Sequence, residues 1–198
     1  MQDNMPAVQA EQSAHGQMHY FDSVLELIGN TPLVRLNRVT RDVPPLMLAK
    51  MEMFNPGGSV KDRIGPAMIE YGERQGMLRP GGTIVEPTSG NTGHGLAIAA
   101  ALKGYHCIFV MTDKASEEKR SLLRAYGAEI IVCPSNVTHE SPDYYKNVAY
   151  RLAKEIPGAC CPDQYANPAN PAAHYASAGP EIWRDTAGRI TAFVAGIG

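Results

Sequence analysis

Three short, solidly apolar runs constrain this chain more than anything else in it: Thr83-Ile84-Val85-Glu86, His106 to Met111 and Glu129 to Cys133, with a helical pattern between each pair. Strands apolar along their whole length are buried on both faces, and strands separated by helices pair in parallel through crossovers. The fold class is therefore α/β, with parallel sheets and helices on both faces. The intervening helices read as Asn91 to Lys103, rich in Ala, and Ser116 to Tyr126, ended by Gly127. Pro142 to Ile156 follows a polar loop, and Pro171 to about Asp185 is broken near Gly179-Pro180. Thr191 to Ala195 reads as one more strand, running into Gly196-Ile197-Gly198 where a glycine-rich turn should hand over to a helix. That ending reads as a fragment or truncated product of something longer.

The first half is less regular. Phe21 to Ile28 predicts a short helix opened by Asp22 or Ser23 and closed by Gly29-Asn30, before an extended Leu33 to Leu36. A Pro-containing loop leads to a strand at Leu46 to Met51, and a helix runs from Val60 to about Gln75, where Pro66 should kink it.

Composition removes several function classes. The 198 residues carry a net charge of only -2, which gives no electrostatic reason to seek nucleic acid or an anionic membrane. No run approaches the ~18 apolar residues of a membrane span. Residues 1–20 hold no Lys, no Arg and no apolar block, so they match neither a secretory signal nor a transit peptide and read as a mostly disordered tail. Cys107, Cys133, Cys160 and Cys161 lack C-x-x-C spacing and the histidines form no paired-ligand pattern. Reduced cytoplasmic thiols and no metal are expected.

Two stretches carry the candidate chemistry. In Asn55-Pro56-Gly57-Gly58-Ser59-Val60-Lys61-Asp62-Arg63, Ser59 followed three residues later by Asp62 reads as a capping box. It puts Lys61 on the first helical turn, at the positive end of the dipole, where the neutral, nucleophilic amine is favoured. The alternative is a solvated surface lysine. In Glu86-Pro87-Thr88-Ser89-Gly90-Asn91-Thr92-Gly93-His94-Gly95, hydroxyls, an amide and backbone N–H groups gather at a helix start, a site for carboxylate or phosphate. The alternative is an ordinary turn. Neither a dinucleotide nor a P-loop spacing is present.

Together the two stretches resemble the fold-type II pyridoxal-phosphate enzymes that run from cysteine synthase to cystathionine β-synthase, over about residues 21–198. The resemblance implies a two-domain, tryptophan-synthase-β-like fold: residues 46–161 a smaller α/β domain with the substrate loop, residues 21–45 plus 162–198 an incomplete part of the larger cofactor domain. It implies that Lys61 holds pyridoxal 5′-phosphate and shuttles the substrate α-proton, and that Asn91 hydrogen-bonds the pyridine ring oxygen. Thr88, Ser89, Gly90, Asn91 and Thr92 would grip the substrate carboxylate, helped by Gln164, and Gly198 would be the first glycine of the phosphate loop. The rest of that loop and the group facing the pyridine nitrogen lie beyond residue 198.

Within the family, the long stretch Pro134 to Tyr145 and Asp163-Gln164-Tyr165-Ala166-Asn167 are similar to cystathionine β-synthases. A hydroxyl at Tyr165 suits the poor hydroxide leaving group of serine, though a packing aromatic is the plain alternative. The implied reaction joins serine and homocysteine into cystathionine. Its runner-up is cysteine synthase, from O-acetylserine and sulfide, and a non-catalytic interaction protein retaining the fold is a third reading. No cysteine precedes Cys107, so a haem site of the animal kind cannot be built. A cytoplasmic homodimer is expected at full length, with small amino-acid and thiol substrates as its only partners. His94 replaces the usual Ile or Val and has no assigned role.

Overall fold

The computed structural model describes residues 19–88 and 90–196, so readings of residues 1–18, Ser89, Ile197 and Gly198 lie outside the described residues. The regular part forms as expected. Strands β3 (Thr83–Pro87), β4 (His106–Thr112) and β5 (Glu129–Cys133) pair in parallel, and a two-residue strand the sequence did not reveal, β6 (Ala159–Cys160), completes a sheet of order β5-β4-β3-β6. Antiparallel β1 (Leu33–Arg35) and β2 (Leu48–Lys50) form a separate ladder joining Leu33 to Lys50 and Arg35 to Leu48.

Successive side chains of a strand point to opposite faces, and the sheet accordingly feeds two cores. Ile84, Cys107, Phe109 and Met111 face a larger core with Ile64, Met68 and Ile69 of α1 (Ile64–Arg74), Leu96 and Ala100 of α2 (Asn91–Lys103), and Leu123 of α3 (Glu117–Ala125). Val85, Val110 and Cys133 face a smaller one with Val148 and Ala149 of α4 (Tyr145–Glu155). Helix α2 is buried through Thr92–Ala100, and its small residues let α1 lie directly on it. At the crossing a Cβ on Gly65 would overlap the Gly95 carbonyl, so both positions require glycine for backbone approach.

Several boundaries differ from the sequence reading. The first helix shrinks to a 3-10 turn, Val24–Leu27, capped by Ser23. The segment after Ser59 opens as a 3-10 turn, Val60–Arg63, before α1 begins. Pro66 then falls in the first turn of α1, two residues past the change from the 3-10 turn to the α-helix. Helix α4 starts at Tyr145, not Pro142. The last helical stretch starts earlier than Pro171 and divides at Ser177 into α5 (Ala169–Ala176) and α6 (Ala178–Asp185), so that Pro180 again occupies a first turn. Thr191 to Ala195 is not a strand: no described strand pairs with it, and Phe193 and Val194 are exposed. β-propensity fits a residue to a pleated, half-buried surface, and without a ladder partner it has no surface to fit.

Candidate functional site

The lysine turn is held from three directions. Locally, Ser59 Oγ accepts from the Lys61 N–H at 3.1 Å, and the Asp62 carboxylate accepts from the Gly57 N–H at 2.5 Å. The reciprocal half of the capping box thus reaches back to the glycine turn. Burial lifts the Asp62 carboxyl above its ordinary range, against the pull of the Gly57 and Ser59 N–H groups. Beneath the turn, Asn55 Nδ2 donates to the Ser59 carbonyl at 3.0 Å and to Glu52 Oε2 at 2.9 Å, while its Oδ1 accepts from Gly29 N–H. On the far side, Arg63 is buried between two carboxylates: Nε and Nη2 donate to Glu52 at 2.8 Å, and Nη1 and Nη2 to Glu181 of α6 at 2.7 and 2.8 Å. Lys50 adds a second contact to Glu181 at 2.8 Å. Burial would raise the Glu181 carboxyl, but the bonds from Arg63, Lys50 and the Asn30 backbone hold it at about 2.

Lys61 itself is half-buried, and the carbonyl of its turn lies against Gly95 of α2. His174 of α5 is near enough that burial, followed by the charges of Lys61 and Arg63, lowers its pKa.

The second stretch lines a cleft of 250 Å³. Thr88, Gly90, Asn91, Thr92, Gln164 and Tyr165 all border it, joined by Tyr145, which lay outside the sequence-based set. Gly90 is the N-cap of α2, so the cleft opens on the unpaired N–H groups of a thirteen-residue helix. Thr92 Oγ1 donates to Gln164 Oε1 at 2.6 Å, which leaves the two N–H donors of that amide for a ligand. Tyr165 is 64% exposed, and Lys146 Nζ stands 4.0 Å over the centre of its ring. A larger concavity of 340 Å³ under the 36–47 loop contains none of these residues. Lys61 does not border the 250 Å³ cleft; its turn joins the cleft's helix through the Gly95 contact.

His94 lies on α2, buried, with Nε2 unpartnered; burial and the nearby charge of Lys119 lower its pKa. The four cysteines are free thiols. Among the described residues no helix is long and apolar enough to cross a membrane.

Besides Tyr145, the site residues that sequence reasoning passed over are Glu86, Asn55 and Arg63. Glu86 is fully buried at the end of the motif strand and accepts backbone N–H groups from Asp163 and Gln164. Glu86, Asn55 and Arg63 stand inside the two motifs, but each has a partner distant in sequence: Asp163 and Gln164 for Glu86, Gly29 for Asn55 and Glu181 for Arg63.

A family model described as pyridoxal-phosphate dependent enzyme matches residues 24–198. Cystathionine beta-synthase of Rattus norvegicus is 52% identical over 177 residues, 88% of this chain and 32% of that protein. The protein of the same name from Saccharomyces cerevisiae is 48% identical over 165 residues, 82% of this chain and 32% of its own. The chain thus spans about a third of the length of these curated relatives. Among solved structures, an O-acetylserine dependent cystathionine beta-synthase from Helicobacter pylori superposes with TM-score 0.81 at 39% identity, covering 91% of this chain and 59% of that one. A hydrogen sulfide-producing enzyme from Fusobacterium nucleatum gives TM-score 0.78 at 38% identity, covering 86% and 54%.

Proposed function

Because this chain belongs to the pyridoxal-phosphate dependent enzyme family, we propose that the protein catalyses β-replacement on serine or an activated serine, with homocysteine as the incoming thiol and cystathionine as product. The residues fit the cofactor. Lys61, a half-buried residue, brings a primary amine on a turn whose main chain sits against α2 where a side chain on Gly95 would stand. Asn91 stands at the start of that helix, where N–H groups are unpaired. Pyridoxal phosphate, when bound, supplies the sink for the electron pair left at the substrate α-carbon.

The chain's own residues supply the rest. Lys61 Nζ would hold the cofactor and, once freed by the incoming amino acid, would take the α-proton and later return it. Thr88, Thr92, Gln164 and the backbone at Gly90 and Asn91 would orient the amino-acid carboxylate, and the Asn91 amide would help to hold the cofactor. The Tyr165 hydroxyl assists departure of the β-substituent. With serine the balance is serine plus homocysteine giving cystathionine plus water.

The observation that carries the choice of thiol is the rim: Tyr145 and Tyr165 with the Lys146 ammonium 4.0 Å over the Tyr165 ring. An ammonium beside the cleft can pair with the carboxylate of a thiol amino acid while the sulfur reaches inward, whereas hydrosulfide, with a single charged atom, cannot be both paired at the rim and delivered inside. Similarity to the O-acetylserine dependent structure favours a second donor, O-acetylserine, with the same thiol. Crossing two donors with two thiols on the full-length protein tests both points. Homocysteine should exceed sulfide by at least about tenfold in kcat/KM, and Lys146→Met should remove most of that margin. Tyr165→Phe should lower turnover of serine more than of O-acetylserine. Faster turnover of O-acetylserine with sulfide would overturn the reading in favour of cysteine synthase. We further propose a cytoplasmic homodimer at full length.

A further inference from the structure

Glu86 has no part in the chemistry above, yet it is the most completely enclosed ionisable group beside the cleft, at 0% exposure. It lies on β3, two residues before Thr88. Both its oxygens serve another segment: Oε2 accepts from the Asp163 N–H at 2.8 Å and Oε1 from the Gln164 N–H at 3.0 Å. Asp163 is held at φ 51°, a left-handed conformation uncommon outside glycine that persists only where its surroundings enforce it.

The chain leaving that anchor forms the cleft wall. The Gln164 amide meets the Thr92 hydroxyl at 2.6 Å, and the Gln164 carbonyl accepts from Asn170 at 2.8 Å. The Asp163 carboxylate accepts from the Tyr165 N–H at 3.2 Å and from the Tyr150 hydroxyl at 3.1 Å. Residues on both sides of the cleft are thereby referred to one carboxylate on the strand between them.

We propose that Glu86 is a positioning residue for the amino-acid substrate: ionised, it clamps the Asp163-Gln164 backbone so that Gln164 closes the cleft against Thr92. Protonated, it retains one acceptor oxygen and uses the other to carry hydrogen, so one N–H is left without its partner and the wall loosens. The proposal deepens the β-replacement reading and rests on it for the identity of the ligand.

Burial pushes the Glu86 carboxyl up to about 7, against the Gln164 and Asp163 N–H groups that favour the charge. The titratable groups facing it are Cys160 of β6, Cys161 and Asp163 in the following loop, and Tyr150 of α4. Burial raises both thiols, and burial with the bond to Asp163 raises Tyr150 to about 12. Neither thiol nor phenol therefore supplies a transition near neutrality.

The test uses the full-length, cofactor-loaded protein. The ¹⁵N–¹H resonances of Asp163 and Gln164 should titrate together with a midpoint about 7 in the native protein and stay flat in Glu86→Gln. In the same variant KM for the amino-acid donor should rise by roughly tenfold or more while kcat changes by less than about threefold. The native KM should rise as pH falls through the amide midpoint, and that limb should vanish in the variant. Flat amide resonances in the native protein would overturn the proposal, as would an unchanged KM in a folded variant. If Glu86→Gln does not fold, the native titration decides alone. A protein without β-replacement activity whose amides nonetheless titrate would sink the reaction and leave the clamp.

Discussion

Replacing Gly95 by alanine should damage the lysine turn without touching Lys61. A Cβ at residue 95 would stand 2.6 Å from the Lys61 carbonyl oxygen and 3.1 Å from Asp62 Cα. Ordinary contact begins near 3.4 Å, so α2 and the turn must part by about 0.8 Å. Two effects compete. Alanine in a helix interior gains up to about 1 kcal/mol of propensity over glycine, whereas overpacking against backbone costs about 1–3 kcal/mol. The clash prevails because the obstructing atoms are main chain, pinned by the Ser59 cap on one side and Arg63 on the other. Net destabilisation of about 1–2 kcal/mol should lower Tm by roughly 2–8 °C. The effect on turnover should be larger, about 100-fold in kcat, because a displacement approaching 1 Å spoils the alignment of amine and substrate. Gly93→Ala is the comparison, since its Cβ would meet only side chains, Thr88 at 3.2 Å and Leu123 at 3.5 Å. Calorimetry and steady-state kinetics on the full-length variants read both quantities. A Gly95→Ala protein with native Tm and native kcat would refute the argument that backbone contact between Gly95 of α2 and the Lys61–Asp62 turn positions the lysine.

Arg63→Met leaves Glu181 with Lys50 alone and Glu52 with Thr31 and Asn55, so the cost should fall below the ~3–5 kcal/mol of a fully stranded buried charge, at about 2–3 kcal/mol, or roughly 4–12 °C in Tm. A fall under about 2 °C would mean that the network contributes nothing. Since the Glu181 pKa is depressed to about 2 from 4.5, its stabilisation is complete above 4.5 and is lost as pH falls toward 2. Arg63→Met should therefore begin acid unfolding at a higher pH than the native chain. Lys61→Ala, purified with pyridoxal phosphate, should lack the visible absorption of the native protein and yield no borohydride-fixed lysine. Fixation at a different lysine would move the assignment.

The core of the fold was legible because each of its signals is local. Solid apolar runs at 83–86, 106–111 and 129–133 mark buried parallel strands, the first two of which extend one residue further in the structure, and the helix read from Ser116 is opened there by its side chain on the Lys119 N–H. What failed was the inference from composition to pairing. Thr191 to Ala195 has a strand's residues but no described neighbour, while Ala159–Cys160, too short to read, becomes a strand because β3 lies alongside. The same division runs through the site. Lys61, Thr88, Asn91 and Thr92 stand in two contiguous motifs and Gln164 comes from the family resemblance; the cleft gathers most of them, with Lys61 beside it. Glu86 was inside the second motif and still unreadable, since its bonds go to residues 77 and 78 positions away.

The two halves of the site are held with unequal redundancy, and that decides where it can move. The Lys61 turn is fixed by the Ser59 cap, the Asn55 amide, the Gly95 contact and the two carboxylates around Arg63, which come from separate parts of the chain. Losing any one leaves the others. On the substrate side the Asp163 and Gln164 N–H groups both go to one carboxylate, while the two carbonyls are held from within the same short segment, by the Asn167 N–H and the Asn170 amide. Local opening takes the route that breaks the fewest buried contacts, so the substrate side should open while the lysine stays in register. Under the proposed reaction, a site arranged this way would admit and release amino acids by moving Gln164 and Tyr165 and would keep Lys61 in register throughout.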